Sequence, residues 1–150
     1  MRTQMAQSSG RVGTAEPKEQ FDRTQFRDSS GAFAYTVGRD ASGYYFNYRQ
    51  QGKPAASQPI EGRRPLDYFV GSGNAARSYI INVDGFLYEA PVAYFRSLAS
   101  WKSAPGVADL DYPYLTRPIL QGCLQCHASG FGGSRARKTP MPRRPFRREA

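Results

Sequence analysis

The sequence predicts a mainly β chain, α+β at most. It reads as an antiparallel sheet of hairpins over about residues 32–95, followed by an irregular segment with one short helical turn around Leu120 to His127, between disordered ends. Three observations predict this. Fifteen glycines and eleven prolines among 150 residues leave little room for long helices. Ten tyrosines, nine phenylalanines and one tryptophan favour extended backbone and supply a core. Apolar residues alternate with polar ones in short runs separated by turn residues.

The elements follow in order. Ala32 to Arg39 alternates Phe33, Tyr35 and Val37 with smaller or polar residues, the pattern of a strand with one buried face. Asp40-Ala41-Ser42-Gly43 has turn chemistry, and Tyr44 to Arg49 is the return strand with Tyr44, Phe46 and Tyr48 on one face. Gln51 to Pro59 is a loop rich in Pro, Ser and Gly, and Leu66 to Val70 is a short apolar run ending at Gly71-Ser72-Gly73. Arg77 to Val83 and Phe86 to Ala90 flank Asp84-Gly85, one of the strongest local hairpin signals. Pro91 is expected to interrupt, with Val92 to Phe95 as another short strand, and Ala104 to Pro118 reads as loop. The domain organisation is then an unstructured lead-in over 1–26, a single domain over 27–132 and a disordered tail over 133–150.

Charge separates the tail from the body. The formal net charge is +9, yet from Arg135 to Ala150 there are seven basic residues and only one acid, Glu149. That tail also holds Pro140, Pro142 and Pro145 and too little apolar surface to offset the entropy of ordering. It is a solvated tail or an arm for an anionic surface or nucleic acid. No apolar run is long enough for a transmembrane helix, and Met1 to Gly10 lacks the apolar region of a secretory signal.

The residues with recognisable chemistry are Cys123-Leu124-Gln125-Cys126-His127, a C-x-x-C-H that uses both cysteines and the one histidine. This order reads as a c-type haem attachment site. Residues three apart on a helical turn share a face, so Cys123 and Cys126 can reach the two vinyl groups on one porphyrin edge. His127 then ligates iron as the metal residue of the site, with its second ring nitrogen donating to a carbonyl or water. Other readings of C-x-x-C stay open: a redox pair, which calls for a βαβ setting; a zinc half-site, which calls for a fourth ligand; a disulfide; or an inert remnant. For a sixth iron ligand the thioethers are Met1, Met5 and Met141, with Met5 the best placed and an open or water-ligated iron the alternative. Trp101, Tyr112, Tyr114 and Phe131 are aromatic enough to wall a haem, or simply to fill a core. Gly71-Ser72-Gly73-Asn74-Ala75-Ala76 formally matches G-x-G-x-x-A, but a strand follows it instead of a helix, so it reads as a glycine turn. No nucleophile–base pair, paired-carboxylate site or phosphate loop is apparent, so the chain is not expected to be an enzyme.

Several stretches together resemble one family. Tyr68 to Tyr79, with its Gly71-Ser72-Gly73 and Ala76-Arg77-Ser78-Tyr79, is followed by Asp84-Gly85-Phe86-Leu87-Tyr88-Glu89-Ala90-Pro91-Val92. Then come Pro105-Gly106, Tyr114-Leu115-Thr116-Arg117-Pro118 and Cys123 to Ser129. Over roughly residues 5–131 these are similar to the multihaem c-type cytochromes of bacteria that often carry tetratricopeptide repeats. The resemblance implies one covalent haem c, electron transfer with other cytochromes or redox proteins, no specific nucleic acid, and a periplasmic or otherwise exported location. Family members usually have an export signal and further C-x-x-C-H motifs on both sides of the matching region. The chain is therefore expected to be a truncated or frame-shifted copy that keeps one haem segment. The rival expectations are a remnant that binds no haem and a binder of anionic surfaces or nucleic acid through the basic tail.

Overall fold

The computed structural model describes residues 8–14, 17, 19–52, 58–72, 74–107, 115, 117–120 and 123. The mainly β class holds, with two antiparallel sheets and no long helix among these residues. The strands are β1 (Ser9–Arg11), β2 (Thr24–Arg27), β3 (Phe33–Asp40), β4 (Gly43–Gln50), β5 (Glu61–Pro65), β6 (Tyr68–Val70), β7 (Ala76–Val83), β8 (Phe86–Phe95) and β9 (Ser100–Ser103). One sheet has the order β2-β3-β4-β5 and the other β1-β6-β7-β8-β9.

Both predicted hairpins form. β3 and β4 pair from Phe33 with Gln50 to Asp40 with Gly43, which leaves Ala41 and Ser42 as a two-residue loop. The Asp40 carboxylate holds this turn, accepting from the Ser42 amide at 2.9 Å and the Ser42 hydroxyl at 2.6 Å. Arg63 donates to its other oxygen at 2.6 Å. β7 and β8 are joined by Asp84 and Gly85, both at positive φ (53° and 88°), the backbone that suits the twist of a tight hairpin.

The strands that sequence pattern assigns to one sheet divide at Leu66–Asp67. The Leu66 amide donates to the Tyr44 carbonyl of the four-stranded sheet, and the next amide, Asp67, donates to the Ile80 carbonyl of the five-stranded sheet. Successive amides in an extended chain point in opposite directions, so this dipeptide makes a corner between sheets. The alternating apolar faces then turn toward each other. Phe33, Tyr35, Val37, Phe46 and Tyr48 from one sheet form a single buried cluster with Phe69, Tyr79, Ile81, Val92 and Trp101 from the other.

Three expectations are corrected. Residues 8–14 and 19–26 are not an unstructured lead-in, and the folded unit begins before residue 27. β1 pairs with β6 and β2 with β3. Glu19 and Phe21 are buried, and Phe21 stacks edge-on against Tyr44, Tyr79 and Trp101 at 4.6, 6.3 and 5.1 Å between centroids. The Trp101 indole donates to the Gln20 carbonyl at 2.7 Å. Second, Pro91 does not break β8, which runs through it for ten residues. The ladder pairs Ser78 with Ala93 and Ile80 with Glu89, so Ala90, Pro91 and Val92 all face Tyr79 alone. Proline's missing N–H falls in this bulge, while its carbonyl accepts from Ala104 at 2.9 Å. Third, the sheets gain two strands, β5 and β9, that have no strand pattern in the sequence. β5 is charged and lacks an apolar alternation, and β9 is only four residues long. Residues 1–7 and the tail over 133–150 lie outside the described residues.

Gly71 has a steric role at the end of β6. Its φ is +116°, and a Cβ there would lie 2.5 Å from the Ala76 carbonyl oxygen. The glycine turn reading of this motif therefore holds, and β6 and β7 pair antiparallel across it.

Two predictions follow from these contacts. The Glu19–Arg77 pair, 2.9 Å long with both side chains buried, ties the N-terminal segment to β7. Glu19→Ala leaves a buried guanidinium without its counter-charge and is expected to lower stability by about 3 kcal/mol. Urea unfolding should show this, against a change below about 1 kcal/mol for Arg49→Ala at the exposed Arg49–Glu61 pair. Ser42 and Arg63 hold the Asp40 carboxyl at a pKa of about 2, down from 3.8. A depressed carboxylate pKa favours the folded state above the unfolded value, so this contribution is complete above pH 3.8 and is lost as pH falls through about 2. Following the Asp40 carboxyl carbon by NMR should give that midpoint, and Asp40→Asn should remove this part of the acid dependence.

Candidate functional site

The C-x-x-C-H motif enters the described structure through its first cysteine. β9 pairs with residues 92–95 of β8, leaving the same edge of β8 open nearer its start. Residues 117–119 take that edge. The Glu89 amide donates to the Arg117 carbonyl, and the Ile119 amide donates to the Leu87 carbonyl, both at 2.9 Å. Pro118 stands opposite Tyr88, at the position from which this short ladder requires no donor.

Arg117 fastens the segment a second time. Its guanidinium pairs with Glu89 at 3.0 Å and also donates to the Pro105 carbonyl. It passes over Gly106 (φ +75°), where a Cβ would come within 3.4 Å of the guanidinium. Burial pushes the Glu89 carboxyl pKa up, with Arg117 and Ser78 acting against that shift. Beneath the clamp, Ala104 and Val107 fold onto Ala93 and Phe95 as a small second cluster on the outside of the five-stranded sheet. Leu115 packs against the main core.

Beyond this anchor the chain turns toward solvent. Leu120 is 51% exposed, one of two large apolar side chains left so open among the described residues. The Cys123 amide donates to the Leu120 carbonyl at 3.0 Å, closing one turn. The Cys123 thiol is free and exposed. Of the helical turn expected around Leu120 to His127, only Leu120 and Cys123 are among the described residues. Cys126 and His127 lie outside the described residues, as do Met1, Met5, Met141, Tyr112, Tyr114 and Phe131. No three His, Cys, Asp or Glu side chains gather at one point among the described residues. Trp101 belongs to the core, 2% exposed against Tyr79 and Tyr94 at 5.1 and 5.4 Å.

Sequence reasoning missed the clamp. Arg117 and Glu89 are 28 positions apart and carry no local pattern; their pairing depends on residues 117–119 reaching the free edge of β8. The usable signal was Pro118 beside an arginine just ahead of the motif, since an edge segment tolerates proline where an interior strand does not.

Arg117→Met should release this segment without disturbing the sandwich. The amides of Glu89 and Ile119 are expected to exchange about tenfold faster with deuterium, as for the loss of one charge-assisted hydrogen bond. The amides of Val37 and Phe46 should keep their protection. Among the described residues no helix is long and apolar enough to cross a membrane. No family model, curated protein or solved structure matches this chain.

Proposed function

We propose that this chain is a c-type haem segment acting in electron transfer, in which Cys123 and Cys126 would hold one haem covalently and His127 would ligate its iron. The single observation that carries the reading is the C-x-x-C-H itself, which uses both cysteines and the one histidine of the chain. The described part of the motif fits the cofactor. Cys123 presents a free, exposed thiol on a closed turn, and Leu120 offers apolar surface one turn earlier.

Cys123 and Cys126 would hold the haem through thioether bonds to its vinyl groups. The bound haem would supply a one-electron iron couple. His127 would ligate the iron through one ring nitrogen, leaving the other free to donate a hydrogen bond. The Arg117–Glu89 clamp and the β8 edge hold residues 117–119, just ahead of the motif, against the five-stranded sheet. The reading entails export, where thioether attachment takes place, and a partner cytochrome or other redox protein to exchange electrons.

The test is to express the chain behind an export signal in a host with cytochrome c maturation machinery, then weigh the denatured protein. A mass increment of one haem is expected, absent in Cys123→Ala/Cys126→Ala. A wild-type chain of unmodified mass with both thiols free overturns the reading and leaves the motif a relic.

A further inference from the structure

A hollow far from the cysteine motif in sequence plays no part in the haem site proposed above. It is an open groove of about 850 Å³ on the outer face of the four-stranded sheet, the face turned away from the core. Its shape follows from side-chain length. Register places two rows across the sheet on this face: Arg27, Ala34, Arg49 and Glu61 in one, and Gln25, Thr36, Asn47 and Arg63 in the next. The short residues Ala34 and Thr36 on β3 make the floor, and longer side chains on β2, β4 and β5 make the walls. At the β5 side Arg63 stacks over Tyr45 with its guanidinium carbon 3.6 Å from the ring centroid, which fixes that wall.

Charge gives the groove a sign. Three arginines line it, against one carboxylate, Glu61. Arg63 is held by Asp40 at 2.6 Å, and Arg49 meets Glu61 at 3.4 Å with both side chains more than half exposed. Arg27 is exposed, and no carboxylate pairs with it among the described residues. Arg27 and Arg49 stand on either side of Ala34, on strands two apart and therefore roughly 10 Å apart at Cα. Two guanidiniums flanking an alanine have room between them for one oxyanion, and each offers a planar pair of donors suited to carboxylate or phosphate. The adjoining Thr36, Asn47 and Gln25 supply neutral donors and acceptors for a polar body attached to that anion.

We infer that the outer face of the four-stranded sheet is a binding site for a small polar ligand bearing a carboxylate or phosphate, seated over Ala34 between Arg27 and Arg49. The volume is that of a typical small-molecule site. The exposed Arg49–Glu61 contact is weak and exchangeable, so Arg49 is available to the anion at little cost. The site is independent of the haem reading.

The basic tail also attracts anions, so the test must report position. Amide shifts of the full-length, isotope-labelled chain would be followed during separate titrations with inorganic phosphate and with citrate. Saturable shifts are expected at Ala34, Thr36 and Asn47. Affinity should fall about tenfold in Arg27→Gln and again in Arg49→Gln, the loss of a charge-assisted contact. Ala34→Leu, which fills the floor and keeps every charge, should also abolish the shifts at Thr36 and Asn47. Replacing Arg143 and Arg144 by Gln should leave them unchanged. Tighter phosphate binding would assign a phosphate ester, and tighter citrate binding a polycarboxylate. Shifts confined to residues 135–148, or equal affinity in the Arg27 and Ala34 variants with native near-ultraviolet dichroism, would overturn the site.

Discussion

Trp101 sits where the two sheets have to be held together, and most of the architecture can be traced to how it is satisfied. Its ring meets Tyr79 and Tyr94 of the five-stranded sheet and Phe21 of the N-terminal segment. Its indole N–H, which is costly to bury without an acceptor, finds the Gln20 carbonyl. That bond holds the backbone of residues 19–21 against the sheet, with the Glu19 and Phe21 side chains buried and Gln20 exposed. Arg77 on β7 pairs with the Glu19 carboxylate, its guanidinium lying 4.2 Å over the Phe69 ring. Burial and the nearby Glu19 carboxylate then push the Tyr79 hydroxyl to a higher pKa, keeping it neutral beside the pair. One aromatic side chain thus explains why a polar N-terminal stretch is ordered and why a charge pair is tolerated inside.

The same sheet that buries Trp101 anchors the segment that leads to Cys123. β8 has three jobs along its length. Its inner face gives Ala90, Val92 and Tyr94 to the core. Its far half pairs with β9, and the near half of that edge is left for residues 117–119. Because β9 is short, β8 outruns it, and the leftover edge would be an unpaired row of donors and acceptors. The chain resolves that by returning to it, and the return delivers Cys123 to the surface on a turn. The Arg117 guanidinium lies over Gly106, whose φ of +75° suits glycine.

The two faces of the four-stranded sheet divide the labour differently. Its inner face is aromatic and fills the sandwich, with Tyr48 lying against Gly62 so closely that a Cβ there would come within 2.6 Å of the hydroxyl. Its outer face is polar, with small residues on the central β3 and arginines around them. A sheet with long side chains at the rim and short ones at the centre is concave whatever its function, so the groove is a direct product of residue size along the strands. Arginine at its walls is what gives the hollow a chemistry.

The sequence by itself determined the strand period of β3, β4, β7 and β8, both tight hairpin turns and the C-x-x-C-H. Each of these is local: alternation acts over two residues, a turn over four, and the motif over five. Tertiary structure decided the rest. The division into two sheets at Leu66–Asp67 depends on which partner each successive amide finds. The order in β1, β2 and residues 19–21 comes from pairing and burial against distant strands, not from local propensity. Pro91 lies within a strand because a bulge opposite Tyr79 accommodates its missing N–H, and nothing near it in sequence announces that. Glu89 and Arg117, like Arg27 and Arg49, become neighbours only through strand register, which is set by long-range burial of the apolar faces rather than by the charged residues themselves.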